Sequence, residues 1–188
     1  MNKKYKIGII GCGQISGIYF AAKDMFKFFD IVACADLVRE KADSRAKEFQ
    51  IPKVYTVDEL LADPEIEIVM NLTIPKAHGE IGLKVLQAGK HLYNEKPFAT
   101  SREAGARMLE LAKQKNLRVS CAPDTFLGAG LQTCRKVIDD GWIGKPFAAI
   151  GFMLYGKPEQ GHPDPDFFFQ QGSGPMLDMG PYYISALL

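Results

Sequence analysis

Two segments of this 188-residue chain carry residue types that chemistry can use. Asn94-Glu95-Lys96-Pro97 sets a carboxylate beside an ammonium, at a point where proline forbids a central strand ladder from continuing. A lysine there can donate a hydrogen bond to a substrate oxygen and lower the pKa of a neighbouring acid. In Gly172-Ser173-Gly174-Pro175-Met176-Leu177-Asp178-Met179-Gly180-Pro181-Tyr182-Tyr183, Asp178 and Tyr182 stand at i and i+4, on one face of an expected helix. Acid and phenol would then face one cavity. Oxidising an alcohol requires a group that takes the hydroxyl proton while hydride leaves the carbon, and a phenol beside an ammonium can serve.

A third segment reads as a binding loop. Gly11-Cys12-Gly13-Gln14-Ile15-Ser16-Gly17 follows an apolar run and precedes a helical one. In that context the first glycine makes a tight turn, the second lets the backbone approach a pyrophosphate, and the third position packs helix on strand. Ser16 takes the third position and Gly17 arrives one residue late. Serine is little larger than the alanine accepted there, so the departure weakens the pattern without removing it. Asp36, 19 residues beyond Gly17, closes the second apolar run, where a carboxylate can accept both ribose hydroxyls. The reading is a nicotinamide dinucleotide site with Gly11, Gly13, Gln14 and Ile15 around the phosphates. The charge of Asp36 favours NAD, but Arg39 close by could compensate a 2′-phosphate, so NADP stays open. Taken alone, Asp36 could also be a simple cap before the next helix.

These loops need a scaffold, and the apolar rhythm supplies one. Runs rich in β-branched residues recur over 5–10, 31–35, 66–72 and 117–121, with helical spacing over 15–25, 39–49, 77–88 and 101–115. That alternation predicts a Rossmann doubly wound parallel sheet, an α/β fold. Thr100 and Glu103 offer a capping box, Gly89 a left-handed helix cap, and 91–93 a very short strand. After Cys121 the rhythm changes, so residues 1–122 are expected to form the dinucleotide domain and 123–188 the start of a second α/β domain. There a helix is expected over 131–140, a strand over 147–155, an irregular loop over 156–175 and a helix over 176–188. One strand cannot bury a sheet and the last residues are apolar, so the natural chain is expected to continue.

Composition narrows the partners. At 47% hydrophobic the chain can bury a full core, and 23 Lys plus Arg against 22 Asp plus Glu leave a net charge of +1 with no basic stripe. Nucleic-acid binding is not expected. No apolar run is long and unbroken enough for a signal peptide or a membrane helix, so a cytoplasmic protein is expected. Cys12, Cys34, Cys121 and Cys134 form no C-x-x-C pair and read as reduced, mostly buried thiols. His78, His91 and His162 lack ligand spacing, so no metal is expected. Trp142 and Phe167 to Phe169 read chiefly as packing residues, and His162 as a loop residue that either meets solvent or touches substrate.

At the glycine loop, Thr73-Ile74-Pro75 with His78, Glu95-Lys96-Pro97, Gly141-Trp142-Ile143-Gly144 and the Asp178 segment, the chain resembles the glucose-fructose oxidoreductase, inositol dehydrogenase and rhizopine catabolism family of NAD(P)-dependent oxidoreductases. The resemblance spans nearly the whole chain. It implies a second domain with an open antiparallel sheet that often forms an oligomer interface, here incomplete, and a sugar, inositol or related polyol as substrate. It implies Lys96 as the catalytic lysine, Glu95 as its neighbour at the nicotinamide site, Thr73, Pro75 and His78 at the cofactor, and Asp178 as a substrate-orienting carboxylate. Many members carry histidine where Tyr182 stands, but a tyrosine branch exists, and Tyr182 fits it as the proton donor or acceptor. The competing expectation is a non-catalytic NAD(P)-binding sensor or an inactive, truncated member.

Overall fold

A computed structural model describes residues 3–152, 154, 156, 160, 165–170 and 173–188, which divide into two compact units, Met1–Ala122 and Pro123–Leu188. In the first, β1 (Tyr5–Ile10), β2 (Phe29–Ala35), β3 (Lys53–Tyr55), β4 (Ile68–Asn71), β5 (His91–Asn94) and β6 (Val119–Cys121) form one six-stranded sheet. Its order is β3-β2-β1-β4-β5-β6, and every neighbouring pair is parallel.

Both faces of that sheet are covered, which is why its strands read as nearly unbroken apolar runs. Ile7 and Ile9 share a buried cluster with Phe20 of α1 (Ser16–Ala21) and with Ala42 and Ala46 of α2 (Arg39–Phe49). Ile10 belongs to a second cluster with Leu60 of α3 (Val57–Ala62), Val85 and Leu86 of α4 (Pro75–Gln87), and Met108 and Ala112 of α5 (Arg102–Gln114). The chain winds outward from β1 to β3, then crosses back to lay β4 on the other flank of β1. Winding reverses between β1 and β4, and in open α/β sheets ligands bind outside the carboxyl ends of the strands at such a point.

The edge pair β3 and α3 lies in a stretch where periodicity predicts no element. Three half-buried strand residues and a six-residue helix are too short to carry a period. The capping box is here, between Thr56 and Glu59, not at Thr100: Ser101 caps α5, its side chain accepting from Ala104 N at 3.1 Å. Gly89, after α4, takes the expected left-handed conformation at φ +77°.

The second unit holds 3-10 turns at Thr125–Leu127 and Pro165–Phe169 and the helices α6 (Ala129–Asp139), α7 (Pro175–Asp178) and α8 (Gly180–Leu187). The strand expected over 147–155 does not form at its described positions. A strand needs a hydrogen-bonded neighbour, and the described residues of this unit supply none. Phe147 is accordingly 100% exposed and Leu154 91%, and Trp142, expected to pack, is 80% exposed. The single helix expected over 176–188 is two helices. Pro181 has no N–H to give the Leu177 carbonyl, so the ladder breaks at Met179, and Tyr182 N bonds Met179 O at 3.1 Å instead. Among the described residues no helix is long and apolar enough to cross a membrane, and no cluster of three or more His, Cys, Asp or Glu could hold a metal.

Candidate functional site

The carboxyl ends of β1 and β2 carry the glycine loop and Asp36. Gly11 has φ +101°, and a Cβ there would fall 2.6 Å from the Leu72 carbonyl carbon and oxygen, so no other residue fits. Its N–H donates to Ala35 O at 2.8 Å, tying the loop to β2. Gly13 is the opposite case: a Cβ there would meet nothing within 4 Å. The space above Gly13 is what a pyrophosphate needs, and a side chain would fill it. Ser16, fully buried, donates its hydroxyl to Gly13 O at 2.7 Å. The third loop position therefore packs and also braces the turn.

Asp36 holds two stretches of backbone at once. Oδ1 accepts from Val38 N at 2.8 Å, turning the chain toward α2, and Oδ2 accepts from Cys12 N at 2.7 Å, holding the glycine loop. Each carboxylate oxygen keeps a second lone pair, so a ribose hydroxyl can still be received. Arg39 bonds Asp43 along its own helix at 3.1 Å.

A buried polar network lies beneath the ends of β4 and β5. Asn71 and Asn94 are directly paired across the strands and fully buried, with Asn71 Nδ2 donating to Asn94 Oδ1 at 2.7 Å. Thr73 Oγ1 donates to Asn71 Oδ1 at 2.7 Å, and Asn94 Nδ2 to Phe98 O at 2.7 Å. His78 is 1% exposed, with Nδ1 2.6 Å from Pro97 O and Nε2 2.9 Å from Thr73 O. The expectation put this ring at the cofactor; its two nitrogens face the main-chain carbonyls of Pro97 and Thr73, so the buried ring lies between the Thr73 loop and the Lys96-Pro97 turn. Pro75 opens α4, where its missing N–H is no loss. His91 is structural, Nδ1 accepting from Arg118 N at 3.0 Å.

Glu95 is buried and doubly held: Oε1 accepts from Tyr19 OH at 2.8 Å and Oε2 from the backbone N–H of Lys96 at 2.6 Å. Tyr19 sits on α1, so the phosphate-loop helix is bonded directly to the Glu95-Lys96 segment. Burial, and then the charge of Glu95, push the Tyr19 phenol well above its ordinary range, so it acts here as a hydrogen-bond donor. Burial likewise raises the Cys121 thiol, beside Glu95 and Lys96, to about 11. Lys96 is half-buried. The first unit thus gathers Gly11, Gly13, Gln14, Ile15, Asp36, Thr73, Pro75, Glu95 and Lys96 at the carboxyl ends of β1, β2, β4 and β5.

In the second unit Asp178 ends α7 and Tyr182 lies in the first turn of α8, both half-buried. They belong to different helices, not to one helix face as their spacing predicts. His162 lies outside the described residues. Tyr19, Asn71 and Asn94 escape a sequence reading, because nothing in a lone tyrosine or in asparagines closing apolar runs says which partners the fold will bring.

A doubly wound sheet with this loop at its reversal point defines a dinucleotide-binding α/β domain. Residues 5–122 match an oxidoreductase family with an NAD-binding Rossmann fold, and residues 131–188 match the GFO/IDH/MocA C-terminal domain. The chain belongs to the GFO/IDH/MocA oxidoreductase family. It is 31% identical over 191 residues to a dTDP-3,4-didehydro-2,6-dideoxy-alpha-D-glucose 3-reductase of Saccharopolyspora spinosa, covering 97% of this chain and 54% of that protein. It is 30% identical over 146 residues to an inositol 2-dehydrogenase/D-chiro-inositol 3-dehydrogenase of Lacticaseibacillus casei, covering 75% of this chain and 42% of that one. The crystal structure of myo-inositol dehydrogenase from Lactobacillus casei, in complex with NAD(H) and myo-inositol, superposes with a TM-score of 0.72 at 26% identity, covering 77% of this chain and 44% of that one. The chain spans 32% to 54% of the length of the curated relatives it matches.

Proposed function

We propose that this chain carries the cofactor-binding part of an NAD-dependent oxidoreductase that exchanges a hydride with a hydroxyl-bearing sugar, inositol or related polyol. The observation that carries the reading is the open space over Gly13 beside Asp36, at the reversal point of a Rossmann sheet. Gly11, Gly13, Gln14 and Ile15 would receive the pyrophosphate, Asp36 the adenine ribose, and Thr73, Pro75, Glu95 and Lys96 the nicotinamide end. NAD is preferred over NADP because Asp36 would repel a 2′-phosphate and Arg39 is engaged with Asp43. The chemistry a bound nicotinamide supplies is hydride exchange.

The chain's own residues handle the proton and the hydroxyl. Lys96 donates a hydrogen bond to the reacting oxygen. Tyr182 takes or returns the hydroxyl proton, and Asp178 orients the substrate. The sugar or inositol class is supported by the relatives, an inositol dehydrogenase and a nucleotide-sugar reductase among them.

The test is turnover of NAD across a panel of inositols and aldoses, using the longest natural form of the chain. Lys96→Ala and Tyr182→Phe are each expected to lower kcat by about two orders of magnitude or more, the scale of an acid-base group. Wild-type rates in both variants would sink the assignment. Saturable cofactor binding without turnover on any polyol would mark a binding module instead.

A further inference from the structure

Gly13 offers one carbonyl to three donors. Besides the Ser16 hydroxyl at 2.7 Å and the Ser16 N–H at 3.3 Å, Arg45 Nη2 reaches it at 3.2 Å from α2. The guanidinium is held for that purpose: Nη1 bonds Glu48 Oε2 at 2.7 Å, and the group lies 5.9 Å from the centre of the Phe49 ring. The guanidinium lies alongside Gly17, where a Cβ would make an ordinary contact with Arg45 Nη1 at 3.5 Å.

Within a trans peptide the C=O of one residue and the N–H of the next point in opposite directions. With Gly13 O drawn toward Arg45 and Ser16, the Gln14 N–H points away from both, and the space over Gly13, where a Cβ would meet nothing within 4 Å, is open. We infer that Arg45 is a positioning residue for diphosphate binding: with Ser16 it fixes the Gly13-Gln14 peptide so that its N–H faces the ligand. The inference rests on the dinucleotide reading above and adds to it a residue from outside the loop. Arg45 does not touch the ligand. It acts through the Gly13 carbonyl, with its guanidinium held in place by Glu48.

The experiment is a set of NADH fluorescence titrations on the wild-type chain and on Arg45→Met, Arg45→Lys and Ser16→Ala, each with its thermal midpoint, and with ADP-ribose and adenosine as competitors. Methionine keeps an unbranched apolar stem but removes charge and donors. Arg45→Met is expected to weaken NADH and ADP-ribose about tenfold, the scale of one charge-assisted hydrogen bond, and to leave adenosine unchanged. Arg45→Lys should recover part of the loss, and Ser16→Ala should show a smaller loss confined to the same ligands. If wild type binds NADH and Arg45→Met binds it equally well, or loses adenosine by the same factor, the positioning role is overturned while the dinucleotide reading stands. A lowered thermal midpoint with unchanged affinity in both Arg45 variants would also overturn it, leaving a structural arginine. If wild type itself shows no saturable NADH binding, the dinucleotide reading fails and takes this inference with it.

Discussion

Asn71 Nδ2 donates to Asn94 Oδ1 at 2.7 Å between directly paired residues of β4 and β5, with both side chains fully buried. The pair is the centre of a network that reaches Thr73 on one side and the Phe98 carbonyl on the other. Asn94→Leu leaves Asn71 and Phe98 O without these partners in a buried network. The expected cost is about 1–3 kcal/mol of unfolding free energy, the desolvation penalty of unpaired buried groups, read from urea denaturation. An unchanged midpoint would mean that the network carries no weight.

Tyr19 and Glu95 join α1 to the Lys96 segment by a bond of 2.8 Å. Tyr19→Phe keeps the ring, which meets Tyr93 edge to face, and removes only the donor to a buried carboxylate. A loss of about 1.5–3 kcal/mol is expected, the worth of a hydrogen bond to a charged group, measurable by denaturation of the wild-type and variant chains side by side.

The thiols should separate by accessibility and ionisation. Cys12 and Cys34 are buried and Cys134 is exposed, a departure from the expectation of mostly buried thiols. Cys121 is held to a thiol by its pKa of about 11. Iodoacetamide near neutral pH is expected to alkylate Cys134 first, with Cys121, Cys12 and Cys34 following only on unfolding, as peptide mapping by mass spectrometry would show.

Acid stability should depend on Asp63. The hydrogen bond from Lys53, at 2.9 Å, holds its carboxyl below the ordinary value of 3.8. A carboxyl depressed in the folded state contributes stability that is present above the unfolded pKa and lost as pH falls through the folded one. Asp63→Asn is therefore expected to reduce stability at pH 7 and to shrink the gap to wild type below about pH 3.8. A gap that stays constant from pH 7 to pH 2 would contradict the assignment.

Much of the first unit is legible in the sequence because its strands are buried on both faces and its loops depend on particular residues. Gly11 has to be glycine, since a Cβ would strike the Leu72 carbonyl, and Asp36 has to close β2 to reach the loop. What stayed hidden depends on who meets whom. His78 looks the same in sequence whether it faces a ligand or two carbonyls. Lys53–Tyr55 carries too few residues for a period, and the helix break at Met179 turns on one missing N–H at Pro181. In the second unit the run over 147–155 has strand composition, but composition supplies no neighbouring strand.

The most direct test of the dinucleotide site is NADH fluorescence titration of wild type against Gly13→Val. A valine Cβ at this position meets no protein atom within 4 Å, so the variant should fold with a thermal midpoint close to wild type, yet its side chain would occupy the space assigned to the pyrophosphate. Saturable NADH binding in wild type that is abolished in Gly13→Val is the expected result. Equal binding in both, or none in wild type, would contradict the site.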